Sequence, residues 1–136
     1  MSLSLNNTFL TVDDHDQAIA CYRDVLGMTV TNDVAYGGMY WISMATKDQP
    51  GVTIVLEPPG ADPNISDEDR TALRELLAKG LLSRLIFSCD DVDATFAEIE
   101  AAGAEVVQEP MDMPYGVRDC AFRDPFGNLL RINQRL

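Results

Sequence analysis

The residue types that most often do chemistry are few in this chain and stand apart from one another. The one histidine, His15, lies among Asp13, Asp14 and Asp16. Three cysteines, Cys21, Cys89 and Cys120, are widely spaced, with no Cys-x-x-Cys pair. A thiol nucleophile needs an adjacent base, and these isolated thiols have no histidine partner near them in sequence. Cys89 and Cys120 therefore read as small buried apolar residues, and His15 as a surface cap at a helix start. The phosphate-binding patterns GxGxxG and GxxxxGK[ST] are absent, as are HExxH and GxSxG. One acidic pattern does repeat. Asp13, Asp14, Asp16 and Ala20 recur as Asp90, Asp91, Asp93 and Ala97, each 77 residues on.

A repeat of that length marks two copies of one supersecondary unit. Each copy opens with a short apolar run, Phe9 to Val12 or Ile86 to Cys89, ending in the Asp pair. A stretch of helical spacing follows. Ala18, Cys21, Tyr22, Val25 and Leu26 form one face before Gly27, and Phe96, Ile99 and Ala102 form the other before Gly103. The Asp residues suit helix N-caps, since a short carboxylate accepts the free N–H groups of the first turn. Three β-like stretches come after each helix, at 28–34, 39–45 and 52–57, then at 105–108, 118–123 and 129–133. A turn of similar composition precedes each last strand, Asp48-Gln49-Pro50-Gly51 and Asp124-Pro125-Phe126-Gly127, with glycine expected at positive φ. Each half thus reads βαβββ. The expected organisation is one domain over 1–136, with modules at 5–57 and 81–136 and a connector at 58–80. The connector carries one short helix, capped by Ser66, with Leu73, Leu76 and Leu77 as its apolar face and Gly80 as its stop.

With 46% hydrophobic and 24% charged residues, the chain is composed like an ordinary globular domain. No apolar run reaches the roughly 18 residues that a membrane span needs, and no export signal opens the sequence. An odd number of scattered cysteines suits reduced thiols, so the expected compartment is the cytoplasm. The formal net charge of −12 offers no positive field to phosphates, which excludes nucleic acid and anionic membrane as partners.

Three stretches carry a family resemblance: Ala18 to Gly27 (AIACYRDVLG), Asp90-Asp91-Val92-Asp93, and Phe122 to Asn128 (FRDPFGN). In this order they resemble the vicinal oxygen chelate superfamily, which includes glyoxalase I, the bleomycin and fosfomycin resistance proteins and the extradiol dioxygenases. The resemblance covers nearly the whole chain. It implies an α+β fold in which two βαβββ modules form a curled mixed sheet, a cup with helices on its convex side. It also implies a ligand inside the cup and a homodimer.

In metal-using members of that superfamily the ligands come from the first and last strands of each module. The corresponding positions here are Asn7 and Arg84, then Ile54 or Val55, and Arg131. Two guanidiniums, always protonated, repel a divalent cation rather than hold it. The expectation is therefore a cup with neither metal nor cofactor. In the resistance-type members the strand before the Asp-Pro turn points residues into the cavity, and the resemblance implies that Ala121 and Asp119 do so here. Asp119 then either pairs with Arg84 or Arg131 as a polar core, or leaves net positive charge for an anion, which a guanidinium grips bidentately. Aromatic residues near the expected pocket are Tyr36, Tyr40, Trp41 and Tyr115, with Trp41 the best candidate wall.

The candidate ligand-binding residues are thus Asn7, Trp41, Arg84, Tyr115, Asp119 and Arg131, with no metal ligand and no assigned catalytic residue. Two kinds of function fit them. One is a metal-free binding protein for a small anionic or carbonyl-bearing organic molecule. The other is an enzyme of the same superfamily, a lyase, isomerase or dioxygenase, using Arg and Asp chemistry or a metal.

Overall fold

The computed structural model describes every residue from Met1 to Leu136. The chain divides into two compact units, Met1–Leu76 and Leu77–Leu136. The first holds β1 (Asn7–Thr11), α1 (His15–Ile19) continued by a π-helical turn (Ala20–Val25), β2 (Thr29–Tyr36), β3 (Met39–Thr46) and β4 (Gln49–Glu57). Helix α2 (Asp67–Ala78) runs across the boundary. The second holds β5 (Arg84–Ser88), α3 (Val92–Ala101), β6 (Glu105–Asp112), β7 (Val117–Arg123) and β8 (Leu129–Arg135). The strands form two four-stranded sheets of identical topology, β1-β4-β3-β2 and β5-β8-β7-β6. In each, the first strand pairs parallel with the last and the other pairs are antiparallel. The fold is α+β, two βαβββ modules with mixed sheets. No helix is long and apolar enough to cross a membrane.

The repeated Asp residues are the helix starts. Asp14 accepts from Gln17 N at 2.8 Å and Asp91 from Ala94 N at 3.1 Å, so the same cap recurs 77 residues on. Ser66 caps α2 through Asp69 N at 3.1 Å. Each sheet buries one face against its own helix. In the first unit Leu10, Ala18, Tyr22, Ile42, Met44 and Leu56 are all buried. In the second, Phe96 of α3 stacks on Phe122 of β7, with ring centroids 5.2 Å apart.

Three local expectations need correction. Gly51 does not close a turn at positive φ; it lies inside β4. The turn is Lys47-Asp48, closed by the Thr46–Gln49 pair, and neither residue has positive φ. In the second module Gly127 does turn at φ 117°, held by Asp124, whose Oδ1 accepts from the backbone N of Phe126, Gly127 and Asn128 at 2.8–3.0 Å. Leu76 is exposed, so the inner face of α2 is Leu77 with half-buried Leu73. His15 is not a cap: Asp14 is.

Candidate functional site

Strand alternation assigns each candidate to a face. On β8, Leu130 and Ile132 are buried toward α3, and Gln134 accepts from Val92 N at the start of that helix at 2.9 Å. Arg131 therefore projects from the other, helix-free face, together with Arg84 and Ile86 of β5 and Asp119 and Ala121 of β7. In the first module the same reasoning puts Asn7, Phe9, Val55 and Trp41 on the helix-free face. Ile54 points the other way and is buried. Phe9 pairs with Val55 as Ile86 pairs with Arg131, so Val55 is the counterpart of Arg131.

The second module's face carries a connected polar group. Arg131 Nη1 donates to Asp119 Oδ2 at 2.9 Å and to Gln108 Oε1 at 3.2 Å. Gln108 Nε2 donates to Asp119 Oδ1 at 2.8 Å. Ala121 lies between them, opposite Gln108 on one side and Arg131 on the other. Its small side chain lets the two long ones meet across it. The Asp119 side chain is 1% exposed and that of Arg131 27%. Of the two arginines that could pair with Asp119, Arg131 does so. Its Nε and Nη2 have no protein acceptor, and the exposed Arg84 has no ion pair or side-chain hydrogen bond. Arg84 stands one strand over and two residues along, which puts the two Cβ atoms roughly 8 Å apart. Two long guanidinium side chains can reach one ligand group from that spacing.

A cation does not fit these positions. Asn7 brings a neutral amide, Val55 nothing, and Arg84 and Arg131 carry positive charge. No group of three or more His, Cys, Asp or Glu side chains is placed to hold a metal ion. Cys120 is buried and its thiol is pushed up to about 11, chiefly by burial, so it is not a nucleophile.

Tyr115 is 64% exposed near the β6–β7 turn and has no hydrogen-bond partner. Tyr40 lies on the helix side of the first sheet, against His15 at 4.9 Å between ring centroids, so it does not share a face with Trp41. Sequence reasoning missed Gln108, because nothing in the motif of its strand marks it. It also missed Glu57, which follows Val55 by two on the face that Trp41 shares and whose pKa burial raises. Period two, counted from Val55, was the available signal.

A cleft of about 790 Å³ opens on the helix side of the first module, lined in part by Asp13, His15, Tyr40, Arg70 and Arg74. Its charges are largely paired among themselves. His15 bonds Asp16 at 3.0 Å and Asp33 at 2.9 Å, and Arg70 bonds Asp67 at 2.9 Å. The His15 pKa is raised by the bond to Asp16, then by that to Asp33, with burial opposing. A raised histidine pKa adds stability that is full below the ordinary 6.5 and lost as pH rises through the folded value. Melting temperatures should therefore fall more steeply above pH 6.5 in the parent than in His15→Gln. Equal slopes would show that the clamp to Asp16 and Asp33 contributes nothing.

Residues 4–132 match the Glyoxalase/Bleomycin resistance protein/Dioxygenase superfamily. The chain is 28% identical over 129 residues to YurT of Bacillus subtilis strain 168, covering 94% of this chain and 96% of that protein. Among solved structures, UcmS2 superposes with a TM-score of 0.86 at 34% identity, covering 98% of both chains. TnmS3, an antibiotic binding protein from Streptomyces sp. CB03234, superposes with a TM-score of 0.75 at 25% identity, covering 100% of this chain and 99% of its own.

Proposed function

This chain belongs to the Glyoxalase/Bleomycin resistance protein/Dioxygenase superfamily, and we propose that it is a binding member, holding a small anionic or carbonyl-bearing organic molecule without a metal. The observation that carries this reading is Arg84, a cation with no partner, beside an Arg131 that still has free donors, on a helix-free sheet face. Guanidinium donors without acceptors on a protein of net charge −12 suit a carboxylate, phosphate or polarised carbonyl. The likeness to an antibiotic binding protein supports a small organic molecule as the ligand. Asn7 and Trp41 are proposed as ligand contacts of the first module, with Arg84, Asp119, Arg131 and Tyr115 those of the second. The alternative, an enzyme of the same superfamily, would draw its proton acceptor from Asp119, whose two oxygens accept from Gln108 and Arg131. We further propose that the two modules make one domain, linked through 58–80, and that the protein works as a cytoplasmic homodimer.

Calorimetric titration with a panel of simple carboxylates and phosphates tests the reading. Arg84→Met should weaken binding roughly ten- to a hundredfold, the worth of one charge-assisted hydrogen bond. Its melting temperature should match the parent's, because the exposed Arg84 side chain has no partner to lose. Absence of anion binding by the parent, or equal affinities of the two proteins, would sink the proposal.

A further inference from the structure

The cleft on the helix side of the first module has walls of opposite charge. Its carboxylates, Asp13, Asp14 and Asp16, all come from the turn into α1 and its first residues. Its guanidiniums, Arg70 and Arg74, both come from α2, where a spacing of four puts them on one face of the helix. The lining is otherwise largely apolar, with buried Val12 and Ile42 beside half-buried Met39 and half-exposed Tyr40. The volume of about 790 Å³ lies within the roughly 300–1,000 Å³ usual for small-molecule sites.

The charges of the two walls are unequally committed. Asp14 caps α1 through Gln17 N at 2.8 Å, Asp16 bonds His15 at 3.0 Å, and Arg70 bonds Asp67 at 2.9 Å. Asp13 and Arg74 face each other at 3.8 Å, too long for a hydrogen bond. Neither has another partner, so the carboxylate keeps its acceptor positions and the guanidinium its donors. An ion pair between half-exposed side chains is weak and opens at little cost. Arg70 adds a buried Nε with no acceptor, packed against Gly60, where a Cβ would stand 3.0 Å from it. A purely anionic ligand would meet three carboxylates here, and a purely cationic one two guanidiniums. A ligand that carries both charges can turn one to each wall.

We propose that this cleft is a second small-molecule site, for a dipolar amino acid with an apolar side chain. The ammonium group donates to Asp13, the carboxylate accepts from Arg74, and the side chain lies against Val12, Ile42 and Tyr40. The ligand enters the loose Asp13–Arg74 pair and exchanges one 3.8 Å contact for two charge-assisted hydrogen bonds. This site does not rest on the anion reading, because all its lining residues belong to the first unit, whereas Arg84 and Arg131 belong to the second.

Calorimetric titration of the full chain near neutral pH, where both ends of an amino acid are charged, tests the proposal. The probes are L-phenylalanine, phenethylamine, which lacks the carboxylate, and phenylpropanoate, which lacks the ammonium. The parent should bind phenylalanine roughly tenfold or more tighter than phenethylamine. Its affinity for phenylalanine should fall roughly ten- to a hundredfold in Arg74→Met and again in Asp13→Asn, each measured singly. Both side chains are half-exposed, so both variants should melt with the parent. In Arg74→Met the advantage of phenylalanine over phenethylamine should disappear, because the carboxylate has lost its partner. A parent that does not bind phenylalanine, or binds it no better than phenethylamine, overturns the site. So does an affinity for phenylalanine that survives in either variant. Phenylpropanoate keeps the two proposals apart: held through Arg84, it binds equally to the parent, Arg74→Met and Asp13→Asn. That result together with a loss of phenylalanine binding in both variants supports both sites, and without the loss it sinks this one alone.

Discussion

Arg131→Met should melt roughly 10 °C or more below the parent, and adding Asp119→Leu in the same chain should restore most of the loss. Removing one partner of a buried ion pair costs about 3–5 kcal/mol, because the other charge stays buried and uncompensated. Asp119 meets that condition, being 1% exposed and held by Arg131 at 2.9 Å. In Arg131→Met only Gln108 still donates to it. In the double variant no charge remains buried, and Gln108 keeps its 3.3 Å contact with the Asp119 backbone carbonyl. Replacing a buried pair by apolar residues of similar volume is often neutral. Arg84→Met leaves this network untouched, so the two arginines separate cleanly: Arg131 in melting curves, Arg84 in titrations. If Arg131→Met melts with the parent, water reaches Asp119 in solution and the network is not a structural centre.

Gly127→Ala should be the most damaging small substitution in the second module. Gly127 sits at φ 117°, and a Cβ there would collide with the Leu77 carbonyl oxygen. Neither side has an easy retreat. The Leu77 carbonyl accepts from Gly80 N at 2.9 Å, and the turn around Gly127 is pinned by the three backbone bonds to Asp124. Gly103 is the fitting control, with φ 98° but nothing within 4 Å of where an alanine methyl would stand. Gly103→Ala should show the backbone strain alone, about 1–2 kcal/mol. Gly127→Ala adds a steric conflict of roughly 1–3 kcal/mol. Urea unfolding of both variants measures the difference, and equal midpoints would mean that the Asp124 turn shifts to make room.

Much of the architecture could be read from local chemistry. Asp14 and Asp91 cap helices because a short carboxylate reaches the first-turn N–H groups, a reach of three residues that needs no distant partner. Asp124 and Gly127 likewise make their turn within five residues. The 77-residue repeat carried the topology, since two copies of one pattern must bury their apolar faces in the same way. The limits were also local. Asp48-Gln49-Pro50-Gly51 resembles the second turn in composition, yet the hairpin closes at Lys47-Asp48 because β3 and β4 pair through Thr46 and Gln49. Composition names the residues that tolerate a turn, and strand pairing decides where it falls. The π-helical turn at Ala20–Val25 left no periodic mark either, since one extra residue per turn hardly disturbs an apolar face.

The candidate site divides along the same line. The sequence by itself determined which residue types stand at the strand positions, including two arginines where a cation cannot be held, because charge is a property of the residue alone. It could not choose between Ile54 and Val55, both apolar and adjacent; the β1–β4 register chose Val55, since a shift of one residue turns a side chain to the opposite face. Nor could it say which arginine meets Asp119, or that Gln108 joins them across Ala121. Those partners lie 12 and 11 residues apart in sequence. Each pair meets only where two or three strands align side by side, and that alignment is set by the packing of the whole sheet.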